Sequence, residues 1–536
     1  MAKTDTTPRH GAALVAAAGV LALMVGGTLG LRDPGGRSHS GTSGAQLQAP
    51  VATPITATAQ PVTWAPCPAE LPDLECATIG VPLDHGRPDG ERISLAISRR
   101  KHTTTPYRGT ILVNPGGPGS SGRMLAGSGG NIARGIGDSY DWIGFDPRGI
   151  GASRPALACD PAAWTGLRPP YVPTKPEIMQ AWLTKATTYA ASCGKASGAL
   201  LNHVRTIDTV HDMEWIRAAL GAETTSYWGN SYGSLLGQLY TTAYPGRVNK
   251  MVLDGVVDAS QSWYDANLAQ NVALTANFEA FLKWLAANPA SFGLGSDPAA
   301  IKARYAAKLD ALAAAPGAGG TVSAADLNDL AIRASYGVST WPADGAVLSQ
   351  VLRRDNVALL APDADAGQDN ARAGYLAVQC SESAWPGWDT MKADAERQHP
   401  DHPLMTWSNT WMNAPCAFWP VPSQPRAAVD AARVTAPILL VSETLDGATP
   451  FAGALATRER FPTARLIEGT GGTTHSSAIA AGPCVAGAIA DFLEKGTLPP
   501  RREGRTADLQ CAPVPPPPAA PADPAAPADP AAPAAQ

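Results

Sequence analysis

The sequence predicts an α/β fold, a mostly parallel sheet interrupted by a large inserted helical cap. Three observations lead there. Short apolar runs end in glycine-rich turns, as strands do when they feed loops and helices. Between two such runs, Ile207, Val210, Met213, Ile216 and Leu220 recur at helical spacing. After Asp258 this rhythm gives way to about 170 residues of mainly helical, Ala-rich sequence, then resumes at Ile438, the pattern of an insertion into a sheet domain.

Taken in order, Thr110 to Asn114 (TILVN) reads as a strand running into Pro-Gly-Gly-Pro-Gly, and Trp142 to Phe145 as a strand running into Asp-Pro-Arg-Gly-Ile-Gly. The helix over 207–220 is followed by a strand at Thr225 to Trp228, the tight turn Gly229-Asn230-Ser231-Tyr232-Gly233, and a helix to Tyr244 that Pro245 stops. Met251 to Leu253 starts another buried strand. Beyond the insertion, Ile438 to Val441 and Leu466-Ile467 are strand-like.

At 536 residues the chain holds two units or one domain with a large insertion, and 45% hydrophobic content can fill a sizeable core. A net charge of −5 without a basic stripe excludes nucleic-acid binding. The 53 glycines and 49 prolines are too many for a helical bundle and lack collagen's period.

The two ends differ from the middle. Lys3 and Arg9 precede an uncharged run from Gly11 to Leu31, so residues 1–32 read as a secretory signal or as an uncleaved N-terminal anchor. No cysteine follows closely, so no lipid anchor is indicated; any membrane contact runs through that segment, and the rest is expected to be secreted or held at the cell surface. Residues 33–60 read as a linker, and 512–536, ending in a Pro/Ala repeat, as a disordered tail. Eight cysteines fall in local couples. The simplest pairing is Cys67–Cys76, Cys159–Cys193, Cys380–Cys416 and Cys484–Cys511, which suits an oxidising compartment; free buried thiols are the alternative.

Chemistry concentrates at Gly229–Gly233. A nucleophilic serine must stand clear of the backbone at a sharp strand-to-helix turn, and flanking glycines give it room. Ser231 therefore reads as a nucleophile, and a serine needs a base that is itself oriented by an acid. With the order serine, acid, histidine, only His475 follows the resumed strand pattern; six of nine histidines precede Ser231, and His399 and His402 lie in the insertion. Asp446, beyond the strand at Ile438, is the acid, with Glu443 its rival. An oxyanion needs two backbone N–H donors. Tyr232 supplies one; Pro115 and Pro118 have none, which leaves Gly116 and Gly117 of the glycine-rich loop, Gly117 being preferred. Asp146 and Arg148 read as a structural ion pair. No metal-ligand spacing or cofactor fingerprint appears, so no metal and no cofactor are expected.

NPGGPGSSG, DPRGIGAS, GNSYG, LDGATP and the late His475 resemble the tripeptidyl aminopeptidase branch of the α/β-hydrolase fold, within the proline iminopeptidase-type serine peptidases. The resemblance runs from about Pro61 to Cys511, with Cys76 to Asp84 similar to the family's opening strand. It implies an α/β-hydrolase core at 61–258 and 430–511, a cap at 259–429, the triad Ser231, Asp446 and His475, and a peptide substrate with a free amino terminus. It also implies that Glu382, after cap residue Cys380, meets the substrate amine. Five of the 14 tryptophans lie at 385–419, mostly as cap core, with one or two lining the cleft. The expected enzyme is an exported, monomeric serine peptidase that releases tripeptides or short peptides. A carboxylesterase or endopeptidase with the same triad, and an inactive hydrolase fold acting as a binding module, are the alternatives.

Overall fold

The computed structural model describes residues 52–361 and 367–519. The signal or anchor at 1–32, most of the linker and the tail from 520 onward lie outside the described residues.

Among the described residues ten strands make one sheet: β1 (Ala65–Pro66), β2 (Glu75–Pro82), β3 (Arg92–Arg100), β4 (Thr110–Asn114), β5 (Asp141–Phe145), β6 (Thr225–Asn230), β7 (Val248–Asp254), β8 (Ile438–Glu443), β9 (Ala464–Gly469) and β10 (Leu509–Cys511). Their order is β1-β2-β3-β5-β4-β6-β7-β8-β9-β10. Every neighbouring pair from β5 to β10 is parallel, while β1, β2 and β3 form an antiparallel edge. β2 falls where the resemblance placed an opening strand, at Cys76 to Asp84, while β1, β3 and β10 extend the sheet beyond the strands expected from the sequence. β3 carries the signal, since Ile93, Leu95 and Ile97 alternate and are all buried.

Side chains alternate across the sheet, and both faces are covered. Leu112, Tyr227, Met251, Leu253, Ile438 and Leu440 face one core, shared with the helices Thr206–Ala219 and Tyr232–Ala243. Ile111, Val113, Trp228, Val252, Leu439 and Val441 face the other, closed by Val485, Ile489, Phe492 and Leu493 of the helix Pro483–Lys495. The run of apolar residues in each strand is therefore the signature of a strand buried on two sides.

Between β7 and β8 the described chain forms helices from Trp263 to Phe418 and adds no strand to this sheet. They hold a core of their own, around Phe278, Phe281, Leu285, Trp341 and Leu348. An element outside the insertion joins this cap: Trp182 and Ala186 of the helix Pro176–Ser197 pack against Trp407, Trp411 and Ala395. Trp182 and Trp388 stack on Trp411 at centroid distances of 5.8 and 4.8 Å, so most of the tryptophan cluster is cap interior. Four disulfides join Cys67–Cys76, Cys159–Cys193, Cys380–Cys416 and Cys484–Cys511. Such a cystine set fits a compartment outside the reducing cytosol. Among the described residues, no helix is long and apolar enough to cross a membrane. The chain does not leave the fold at Cys511, because Val514 and Ala519 pack against the cap core.

Asp146 and Arg148 do not pair with each other. Asp146 binds Arg123 Nε (2.9 Å), Ser121 Oγ (2.5 Å) and the Ala152 N–H (2.8 Å). Arg148 makes a two-pronged contact with Asp212 at 2.7 and 2.6 Å, fully buried, and also donates to the carbonyls of Leu83 and His203. Both residues buttress loops, each through a partner that is distant in sequence.

Candidate active site

Loops at the carboxyl ends of the parallel strands converge, the usual place for a site in such a sheet. Ser231 follows β6 and takes φ 54°, ψ −126°, a conformation that non-glycine residues reach only under strain. The turn fits because its neighbours lack side chains. A Cβ at Gly229 would stand 2.3 Å from Gly233 O, and one at Gly233 would stand 2.5 Å from Asn114 O. The Ser231 N–H donates to Asp254 O at 2.8 Å, which fixes the turn to the end of β7.

β4 lies beside β6, so the loop after Asn114 abuts this turn. Gly116 sits against it, with an ideal Cβ only 2.6 Å from Asn230 O and 2.8 Å from Tyr232 N. The Gly116 N–H is engaged by Asn114 Oδ1 at 2.9 Å. The Gly117 N–H has no acceptor among the described residues.

Asp446 lies beyond β8, and His475 lies in the loop after β9. Asp446 Oδ1 accepts the N–H groups of Ala448 and Thr449, each at 2.9 Å, and Oδ2 accepts Thr449 Oγ1 at 2.9 Å. Both carboxylate oxygens also face His475 Nδ1, at 3.0 and 2.9 Å. An ionised carboxylate only accepts, so Nδ1 carries the proton and Nε2 is left with a free lone pair. Burial pushes the His475 pKa down, but the Asp446 charge and hydrogen bond outweigh it and hold the imidazole above its ordinary value, with Asp254 acting in the same direction. Ser231 Oγ and His475 Nε2 are both buried and have no hydrogen-bond partner among the described residues. The cap touches this site directly, since the His475 N–H donates to Tyr336 O at 2.8 Å.

Glu443, the rival acid, is occupied elsewhere. It accepts the N–H of Thr474 (2.5 Å) and of Val514 (2.6 Å), so it anchors the histidine's loop and the start of the tail.

Glu382 lies where the cap meets the helix Thr206–Ala219. It is 1% exposed, and its carboxylate accepts from the Thr206 N–H, from Thr206 Oγ1 (2.8 Å) and from Trp263 Nε1 (3.2 Å). Three protein donors hold it at the first residue of the helix Thr206–Ala219, so it pins that helix to the cap. Tyr232 OH donates to the same Thr206 Oγ1 at 3.0 Å. Trp385 lines a small cleft within the cap with Asn267, Asn271, Asn409 and Asn413.

A strained serine turn at the central strand of a parallel sheet, beneath a helical cap, places the chain among the α/β-hydrolases. Residues 109–352 match the alpha/beta hydrolase fold family, and residues 402–529 match the family described as TAP-like protein. The chain is 36% identical over 472 residues to tripeptidyl aminopeptidase of Streptomyces lividans, covering 84% of this chain and 87% of that one. It is 31% identical to serine protease Hip1 of Mycobacterium tuberculosis (82% and 90% covered) and 30% identical to carboxylesterase B of the same organism (83% and 88%). The chain belongs to the tripeptidyl aminopeptidase family of the α/β-hydrolase fold and is a serine peptidase.

Proposed function

We propose that this chain is an exported aminopeptidase that releases tripeptides from free N-termini through an acyl-enzyme on Ser231. The observation that carries the mechanism is the pair of buried, unsatisfied atoms, Ser231 Oγ and His475 Nε2, on adjoining loops with Asp446 behind the imidazole. Ser231 attacks the scissile carbonyl while His475 takes its proton. Asp446 holds the ring in the required tautomer and balances its positive charge. The N–H groups of Tyr232 and Gly117 receive the oxyanion; at the N-terminus of the helix Tyr232–Ala243, the helix dipole favours the same charge. His475 then protonates the leaving amine, and water resolves the acyl-enzyme.

Tripeptide release is supported by the relatives named for that activity, and export by the four disulfides. The test is an unstructured peptide supplied with its N-terminus free or acetylated, with products read over time by mass spectrometry. Stepwise loss of tripeptides from the free form alone is expected. Equal cleavage of both forms contradicts the exopeptidase reading and makes the enzyme an endopeptidase. Cleavage of neither, with turnover of acyl esters, makes it an esterase like the third relative's name.

A further inference from the structure

One buried carboxyl beside the site has no role in the steps above. Asp254 ends β7 and is 1% exposed. Its main-chain oxygen accepts the Ser231 N–H at 2.8 Å, and its side-chain Oδ2 accepts the Ala478 N–H at 2.8 Å, three residues beyond His475. Its Oδ1 is buried and makes no well-formed hydrogen bond among the described residues, while the nearby Ser477 N–H favours the ionised carboxyl. The next residue, Gly255, lies against the imidazole: a Cβ there would stand 2.9 Å from His475 Cε1. One residue thus grips the nucleophile's turn with its backbone and the histidine's loop with its side chain.

We propose that Asp254 is a positioning residue for His475, fixing its loop against the Ser231 turn and stabilising the imidazolium formed during catalysis. The proposal rests on the triad reading above. A buried acceptor without a well-formed hydrogen bond is costly unless something offsets it, and the proton arriving on His475 supplies the opposite charge. Burial pushes the Asp254 pKa up to about 7. The charged groups that act on it are His475, which favours its ionised form, and Asp446, which opposes it.

Asp254→Asn keeps the shape and an oxygen for the Ala478 N–H while removing the charge. The expected result is a kcat lowered about tenfold with KM within about twofold. The acid limb of kcat/KM should also move to lower pH by about half a unit or more, because a charge that favours imidazolium has gone. A folded Asp254→Asn enzyme with an unchanged kcat and an unchanged acid limb overturns the proposal. Should the variant misfold, the unmodified enzyme still decides: the Cε1 resonance of His475, assigned by its loss in His475→Gln, should show a second, smaller step as the adjacent Asp254 carboxyl titrates. A single step overturns the proposal. Ser231→Ala separates the two levels. Turnover surviving in Ser231→Ala defeats the triad itself, whereas a dead Ser231→Ala beside a wild-type-like Asp254→Asn defeats only the role of Asp254.

Discussion

Replacing Gly116 by alanine probes the contact between the glycine-rich loop and the nucleophile's turn. Gly116 has φ +97°, and its ideal Cβ lies 2.6 Å from Asn230 O, 2.8 Å from Tyr232 N and 2.9 Å from Ser231 Cβ. The closest of these is about 0.8 Å inside ordinary contact, and all three neighbours belong to the turn that presents Ser231. Neither side can yield freely. The turn is tied to Asp254 O, and the loop is pressed at Gly119 against Ala371 O of the cap. The displacement therefore falls on the nucleophile and on the Tyr232 and Gly117 N–H groups. A misplacement of that size costs on the order of 10²-fold in kcat/KM, and the left-handed alanine adds about 1–2 kcal/mol of strain. The assay is kcat/KM on a fluorogenic tripeptide amide, with thermal unfolding run in parallel. Gly127→Ala is the control, because a Cβ there meets nothing within 4 Å. Gly116→Ala retaining kcat/KM within about twofold of wild type would refute the close packing on which the oxyanion site depends.

Asp446→Asn should lower kcat by about 10³–10⁴-fold, because the amide nitrogen cannot accept from His475 Nδ1 and the wrong tautomer is favoured; a loss below tenfold contradicts the orienting role. The raised pKa of His475 sets the sign of the pH dependence: protonated imidazole is no base, so kcat/KM should fall with acidity through a midpoint above 6.5. A midpoint at 6 or lower in the unmodified enzyme opposes it. Glu382→Gln should lower the unfolding temperature while leaving the preference for a free over an acetylated N-terminus intact; loss of that preference would make Glu382 the amine's partner. Removing Cys380 and Cys416 together opens a loop with a sequence separation of 36, which chain-entropy arguments value at about 3–4 kcal/mol, so the variant should unfold at distinctly lower denaturant concentration.

What the sequence made legible was local. Ser231 is announced by glycines two residues either side, because the turn's steric demand falls on its immediate neighbours. The strands at Thr110 and Ile438 declare themselves because burial on both faces leaves no room for polar residues. The cystines join sequence neighbours and could be paired by proximity alone. Roles decided by distant partners were not legible. Glu382 has the chemistry of an amine receptor, and Thr206, which holds its carboxylate, lies 176 residues away. Asp146 and Arg148 sit two apart and suggest a pair, yet their partners are Arg123 and Asp212. Helix Pro176–Ser197 reads as core by position but packs with the cap, since only the assembled fold brings Trp182 to Trp411. Asp254 left one trace, a carboxylate ending an otherwise apolar run at Met251 to Leu253, where a buried strand meets the site.

The central claim is that Ser231 is the nucleophile of this peptidase, and covalent capture tests it most directly. The protein is treated with a fluorophosphonate, digested, and the added mass located by tandem mass spectrometry. The account predicts a single adduct on Ser231, formed faster as pH rises through the titration of His475, and absent from both Ser231→Ala and heat-unfolded protein. An adduct on another serine, or equal labelling of the Ser231→Ala variant, would contradict it.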